Sequence, residues 1–240
     1  MSITTTRLTG AAGICAVVAG AIFIGVQIGH PDMDTTSITT TEVVFRNSLK
    51  ILMAVLAVAG LTGMYLSQIR RNGVLGLIGY VVLTIGYLLI MSTTFVSAYV
   101  LPAIAGTDPG FVKDVIAAGT NDTPAGDLGA LGTMIQIQGF AYLAGGLLFG
   151  IALYRAGVLA RWAAALLAVG GVISVALSLM PDAFYRLLAF PNAIAMIGLG
   201  YSLWKQRHTS DEPFPTVSTS RHEPAGVVEV PDIESTRGRA

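Results

Sequence analysis

The sequence predicts an all-α fold: a polytopic membrane bundle of about six transmembrane helices with both chain ends on the cytoplasmic side. Three observations predict it. First, charged side chains make up 12% of the 240 residues and hydrophobic ones 53%, whereas a soluble domain ordinarily carries about a quarter charged residues. So little charge cannot clothe a water-facing surface of this size, so lipid must cover much of it. Second, six apolar runs approach the ~20 residues needed to cross a bilayer. Third, basic residues are sorted between alternate connectors, as membrane orientation requires.

The first run, Leu8–Ile28, follows Arg7. It is longer than the roughly 7–15 apolar residues of a signal-peptide core, and no A-x-A cleavage site follows it, so it reads as a retained span. The second, Leu49–Ile69, is preceded by Thr39-Thr40-Thr41-Glu42. This matches a capping box and starts the helix several residues before the membrane. Val74–Val100 is the third. It is separated from the second by "RNGVL" (71–75), and the fourth and fifth, Leu128–Leu153 and Leu159–Met180, are separated by the similar "RAGVL" (155–159). In each hairpin an arginine ends one helix and a glycine permits the left-handed turn into the next. The two hairpins are open to two readings, an internal duplication or two convergent turns. Phe184–Trp204 is the sixth span. From His208 onward the chain is rich in Ser, Thr, Pro and Glu and poor in large apolar side chains. It reads as a disordered cytoplasmic tail (208–240) behind a membrane domain (1–207).

Charge fixes the orientation. Arg70, Arg71, Arg155 and Arg161 lie in connectors two-three and four-five, and Lys205 and Arg207 end span six. The alternate connectors hold Asp32, Asp34, Glu42, Asp108, Asp114, Asp122, Asp127 and Asp182. Their only basic residues are Arg46, Lys50, Lys113 and Arg186, of which Arg46 and Arg186 follow Glu42 and Asp182 by four positions, the favourable order for helical ion pairs. The expectation is a multi-pass protein of the plasma membrane, embedded in the lipid bilayer.

Several function classes are excluded by composition. The 14 basic and 14 acidic residues cancel, which gives no general attraction to nucleic acid. Cys15 is the only cysteine, so no internal disulfide or thiolate cluster can form. No span interior carries an ionisable residue, which argues against proton relays and voltage sensing. Nucleophile–base pairs for acyl transfer have no members here, and no Gly-rich stretch is a phosphate loop. Neither a catalytic residue nor a cofactor is expected.

What remains is polar but uncharged. Ser92, Thr93, Thr94 and Ser97 in span three, Gln136 and Gln138 in span four, Gln27 at the end of span one and Asn192 beside Pro191 in span six all fall in the outer half of the bilayer. The inner half reads as almost wholly apolar. Gln136 and Gln138 are two apart and face opposite sides of a helix; Gln138 is favoured for an inward role because Tyr142 and Gly145 share its face. Either these groups hydrogen-bond between helices, or Gln138, Tyr142, Asn192, Ser92 and Ser97 line an outward-facing pocket for a small molecule.

"GHPDMD" (29–34) raises a metal site. Extended backbone beside Pro31 would point His30, Asp32 and Asp34 the same way. A catalytic site needs further ligands, and aspartates in a turn commonly serve the turn itself. The small-residue pairs Gly25/Gly29 and Gly146/Gly150, and Gly73, Gly76 and Gly79, mark close helix approach. They serve either the bundle itself or an interface with a membrane-protein partner or a second copy.

Together, "IGHPD", "LKILMAVLAVAGLTGMY", "LAGGLLFGIALYRAGVLARWAAALLAVGG" and "LLAFPNAIAMIGLGYSLW" resemble, in order and spacing, a group of uncharacterised six-span integral membrane proteins of high-GC Gram-positive (actinobacterial-type) bacteria. The likeness covers residues 7–205. It implies the six-span architecture and transfers no functional residue. Three functions follow as expectations. The first is a non-catalytic binding or accessory membrane protein, the second a small-molecule permease, and the third a metal-dependent enzyme at the first outer loop.

Overall fold

Apolar stretches that must satisfy their backbone without water can do so only as helices or closed barrels, and this chain uses helices. In the computed structural model, which describes residues 4–31, 33–120, 122–177 and 189–210, the elements are α1 (Thr5–Gln27), α2 (Thr41–Leu66), α3 (Ile69–Phe95), α4 (Leu101–Ile104), α5 (Pro109–Gly119), α6 (Ala130–Ala156), α7 (Arg161–Leu177) and α8 (Ala189–Ser210). A π turn, Val96–Val100, joins α3 to α4. No strand occurs among the described residues.

Four helices are long and apolar enough to cross a membrane: α1, α2, α6 and the continuous run Ile69–Ile104. They correspond to the first four expected spans. The described part of α7 has 17 residues and α8 has 22; these occupy the places of the fifth and sixth. The expected end of span five at Met180, the start of span six at Phe184, the Asp182–Arg186 pair and the tail beyond Ser210 lie outside the described residues.

The helices form a ring in the order α1, α2, α3, α6, α7, α8 and back to α1, with α3–α6 and α1–α8 the most intimate pairs. Small residues cause that intimacy. A Cβ at Gly145 would run into the backbone of Leu83, and one at Gly86 into the backbone of Tyr142. Across α1–α8, the Cβ position of Gly13 falls 2.7 Å from the Gly200 carbonyl oxygen. Dispersion between backbones at this range replaces the hydrophobic drive that lipid cannot supply. The G-x-x-x-G pairs divide unequally. Gly150 packs against Ala164 and Ala168 of α7, whereas Gly25 meets nothing and Gly29 lies beyond the end of α1.

The two matching hairpins share a positive φ but not a conformation. Gly157 (φ 64, ψ 18) is the left-handed residue that ends α6, its N–H bonded to the Leu153 carbonyl. Gly73 (φ 57, ψ −164) adopts a backbone open essentially to glycine alone and breaks the helix between a first turn, Ile69–Asn72, and the long segment from Val74. The long segment of α3 therefore starts at Val74, after a helical first turn that the expected span left out.

The acidic connectors at this end of the bundle are more ordered than such loops need be. Thr40, not Thr39, caps α2, accepting from the Val43 N–H at 3.4 Å. Glu42 is therefore freed from the expected capping box and pairs with Arg46 at 2.8 Å. The Arg46 guanidinium also donates to the carbonyls of Val26, Ile28 and Gly29, at 3.2, 2.9 and 3.2 Å. It closes the end of α1, where carbonyls lack partners and the helix dipole favours a cation. Helix α5 starts at Pro109, capped by Asp108. Its Val112 and Val115 bury against Ile38, Val43 and Leu101 to form a second, smaller core at this end of the bundle.

A candidate binding cavity at one end of the bundle

A cavity of about 760 Å³ lies beneath that small core. Its wall is built by the last turns of α1, the first turns of α2 and α6, the C-terminal third of α3, and α5 above. The cavity is partly open, and its size suits a small molecule.

Of the residues expected to line a pocket, Gln138, Tyr142 and Ser97 do so, and Thr93 and Thr94 join them. The Thr93 hydroxyl donates to Gln138 Oε1 at 2.5 Å, tying α3 to α6 across the wall. Gln136, two residues away, is exposed on the opposite face, as the helical period required. Ser97 turns its hydroxyl back to the Thr93 carbonyl at 3.1 Å. Ser92 is not part of the wall: it is exposed and bonded to the Leu88 carbonyl at 2.9 Å. Asn192 is buried at 3% exposure, behind the wall and next to Tyr142 rather than on the cavity surface. The rings of Tyr142 and Tyr87 meet edge to face at 5.4 Å, and both line the cavity floor.

His30 also reaches the cavity. Its Nδ1 lies 2.8 Å from the Pro31 carbonyl oxygen and its Nε2 lies 3.2 Å from Lys50 Nζ. In the tautomer that donates from Nδ1 to that carbonyl, Nε2 is left to accept the lysine proton. Asp34 is engaged in its own turn: Oδ1 accepts from the N–H groups of Thr36 at 2.8 Å and Ser37 at 2.6 Å. Those backbone donors, Ser37 first, hold its carboxyl below the usual aspartate range. Asp32 lies outside the described residues, and among the described residues no three His, Cys, Asp or Glu side chains converge. The remaining outer aspartates do similar local work. Asp114 accepts from the N–H groups of Ala125 and Gly126 at 2.8 and 3.0 Å, and Asp127 from that of Gly129 at 2.8 Å.

The site's most informative residue is one that sequence reading missed. Asn47 lines the cavity, is 3% exposed, and its Nδ2 has no hydrogen-bond partner. The Tyr142 hydroxyl is buried beside the Tyr87 hydroxyl and the Asn192 amide. An unpaired buried amide costs about 1–3 kcal/mol, and native structures hold few of them. With span two begun at Leu49, Asn47 counts as connector. Starting the helix at its cap would have placed Asn47 on the inward face one position before Ser48. Together these groups set the Asn47 amide and the Lys50–His30 pair beside a floor of Tyr87 and Tyr142. That arrangement can hold and orient a molecule.

Fold and site define a class: an all-helical protein with four membrane-length apolar helices and a polar cavity at one end of the bundle. Compared with known protein families, curated proteins and solved structures, the chain matches none of them.

Proposed function

We propose that this is a six-span protein of a bacterial plasma membrane, both termini cytoplasmic, that binds a small acceptor-bearing molecule in a cavity facing the outside. The observation that carries the reading is the unpaired buried amide of Asn47, in the wall of a cavity of about 760 Å³. A carbonyl, carboxylate or ether oxygen of a ligand would satisfy it and recover its desolvation cost. Support for six spans comes from α7 and α8, which close the ring with the four long helices. The orientation rests on Arg70, Arg71, Arg155 and Arg161 gathering at the end opposite the cavity.

The cavity is a dead end. Toward the other end of the bundle, Leu61, Met64, Phe149, Leu153, Leu199 and Leu203 are fully buried and close the core. A binding or accessory role needs nothing more than this state. A permease would use the same cavity as its outward-facing state and would have to part that apolar plug.

The experiment is a thermal-stability screen of purified protein in detergent against small carbonyl and carboxylate compounds. Each hit is repeated on Asn47→Leu and Gln138→Leu. A genuine cavity ligand raises the melting midpoint of the native chain and loses that effect in Asn47→Leu. Hits that stabilise both equally bind elsewhere and would contradict the reading. Uptake of a confirmed ligand into proteoliposomes, abolished by Gln138→Leu, would decide for the permease; binding without uptake decides for the accessory role.

A further inference from the structure

The opposite end of the bundle holds a second recess, of about 380 Å³, where α2 passes into α3. Its wall includes Gln68, Arg70, Arg71, Leu66, Ile69 and, from the α6–α7 hairpin, Val158. Gln68 is 5% exposed, and its amide is oriented by Nε2 donating to the Met64 carbonyl at 3.4 Å. Its oxygen is buried beside the recess with no hydrogen-bond partner. One helical turn on and behind it, Asn72 is likewise buried with an unpaired Oδ1. A buried carbonyl-type oxygen without a donor carries a desolvation cost of the same kind as at Asn47. Here, however, the missing partner is a donor.

Two cations flank that acceptor. Arg70 and Arg71 are exposed and form no ion pair among the described residues. Guanidinium groups suit a phosphate, whose oxygens they grip in a fork. Beside them Leu66 and Ile69 are 59% and 49% exposed, continuing the apolar, lipid-facing flank of the bundle to the lip of the recess. A ligand that answers all three features carries a negative phosphodiester, a hydrogen-bond donor beyond it, and apolar chains that lie along the helix surface.

We propose that this recess is a headgroup site for a phospholipid whose head bears a hydroxyl or ammonium donor. The phosphate rests on Arg70 and Arg71 and the donor reaches Gln68 Oε1. Choline heads, which have no N–H or O–H, fit the phosphate part alone. The site is independent of the cavity at the other end and of whatever that cavity binds. Basic recesses beside membrane helices are where bilayer electrostatics place anionic heads; the buried acceptor adds a chemical choice among them.

The test is native mass spectrometry of the full chain, released from detergent supplemented in turn with dioleoyl phosphatidylglycerol, phosphatidylethanolamine and phosphatidylcholine. The native protein is expected to retain the first two about tenfold more than the third. Gln68→Leu should erase that preference and leave phosphatidylcholine retention unchanged. Arg70→Gln with Arg71→Gln should remove retention of all three lipids. Equal retention of phosphatidylcholine by the native chain, or an undiminished preference in Gln68→Leu, overturns the assignment. So does equal displacement of bound lipid by millimolar glycerophosphoglycerol, which would make the site one for a soluble phosphodiester. Should Gln68→Leu fail to fold, Gln68→Met carries the same two outcomes.

Discussion

Asn47 at one end of the bundle and Gln68 at the other are both primary amides, both more than nine-tenths buried, and each leaves one amide atom unpaired. They differ in which atom is left over and in what surrounds it. Asn47 leaves a donor, beneath a small folded core of α5, Ile38 and Leu101, in a cavity large enough to enclose a molecule. Gln68 leaves an acceptor, beside a shallower recess between two exposed arginines at a glycine-broken hairpin. The same side-chain chemistry, inverted, thus asks for an acceptor-bearing ligand at one end and a donor-bearing anion at the other. Between them runs the glycine-seamed α3–α6 pair, one rigid strut on which both ends are built.

Breaking the strut should have the largest effect. Gly145→Val forces a side chain into the backbone of Leu83 and is expected to cost more than about 3 kcal/mol, beyond ordinary overpacking, because backbone cannot yield as a side chain does. The thermal midpoint in detergent should collapse, and ligand responses at both ends should vanish with it. A Gly145→Val protein as stable as the native one would mean that α3 and α6 are not in this contact.

Next in size is the amide itself. Asn47→Leu removes a buried unpaired donor and should raise unliganded stability by about 1–3 kcal/mol, read as an upward shift of the midpoint, while cancelling stabilisation by any cavity ligand. A destabilised Asn47→Leu would show that the amide has a structural partner and that the comparison between the two ends fails. Arg46→Met comes third. It strips the guanidinium from the carbonyls of Val26, Ile28 and Gly29 and from Glu42, at a cost of about 1–2 kcal/mol. Hydrogen exchange should rise at the cavity end and stay unchanged around Gln68.

The smallest effect is a pH response confined to the outer end. The Asp34 carboxyl is held below its ordinary range by the Ser37 and Thr36 N–H groups. Its contribution to the turn is therefore fully present above that ordinary range and is lost as pH falls through the lowered folded value. Protection of the Thr36 and Ser37 amides, taken relative to the intrinsic exchange rate at each pH, should fall on going from about pH 6 to about pH 3, and Asp34→Asn should flatten the response.

The sequence could place the helices because lipid imposes a length and a composition on each one, and runs such as Leu49–Ile69 satisfy both. Helical period set Gln136 and Gln138 on opposite faces, and Tyr142 and Gly145 on the face of Gln138 favoured it for the inward role; Gln138 lines the cavity and Gln136 is exposed. What failed depended on partners distant in the chain. Nothing local tells that Arg46, besides its expected pair with Glu42, reaches back to the carbonyls at the end of α1. Ser92 lies one position from the wall-lining Thr93, and one step on a helix was enough to turn it outward. The inner end was expected to be almost wholly apolar. Instead Gln68 and Asn72 are buried there, and Thr62 and Tyr80 share a hydrogen bond at 2.9 Å. Of these, only Asn72 sits in the stretch that hydropathy reads as connector; Gln68, Thr62 and Tyr80 fall inside expected spans, and packing decides that they face inward. Helix α5 escaped notice for a related reason: it is short and amphipathic, and its apolar face matters only once Ile38 and Leu101 lie beneath it.

The account turns on whether the cavity is reachable from outside the cell while the arginine-flanked recess is not. Cys15 is the only cysteine, so a Cys15→Ala background carrying either Ser97→Cys or Ser67→Cys reads the two ends separately with a membrane-impermeant maleimide on intact cells. Ser97→Cys should label from outside, and a cavity ligand should protect it; Ser67→Cys should label only after the membrane is permeabilised. Labelling of Ser67→Cys on intact cells, or a Ser97→Cys that reacts only after permeabilisation, would contradict the orientation and the outward-facing site together.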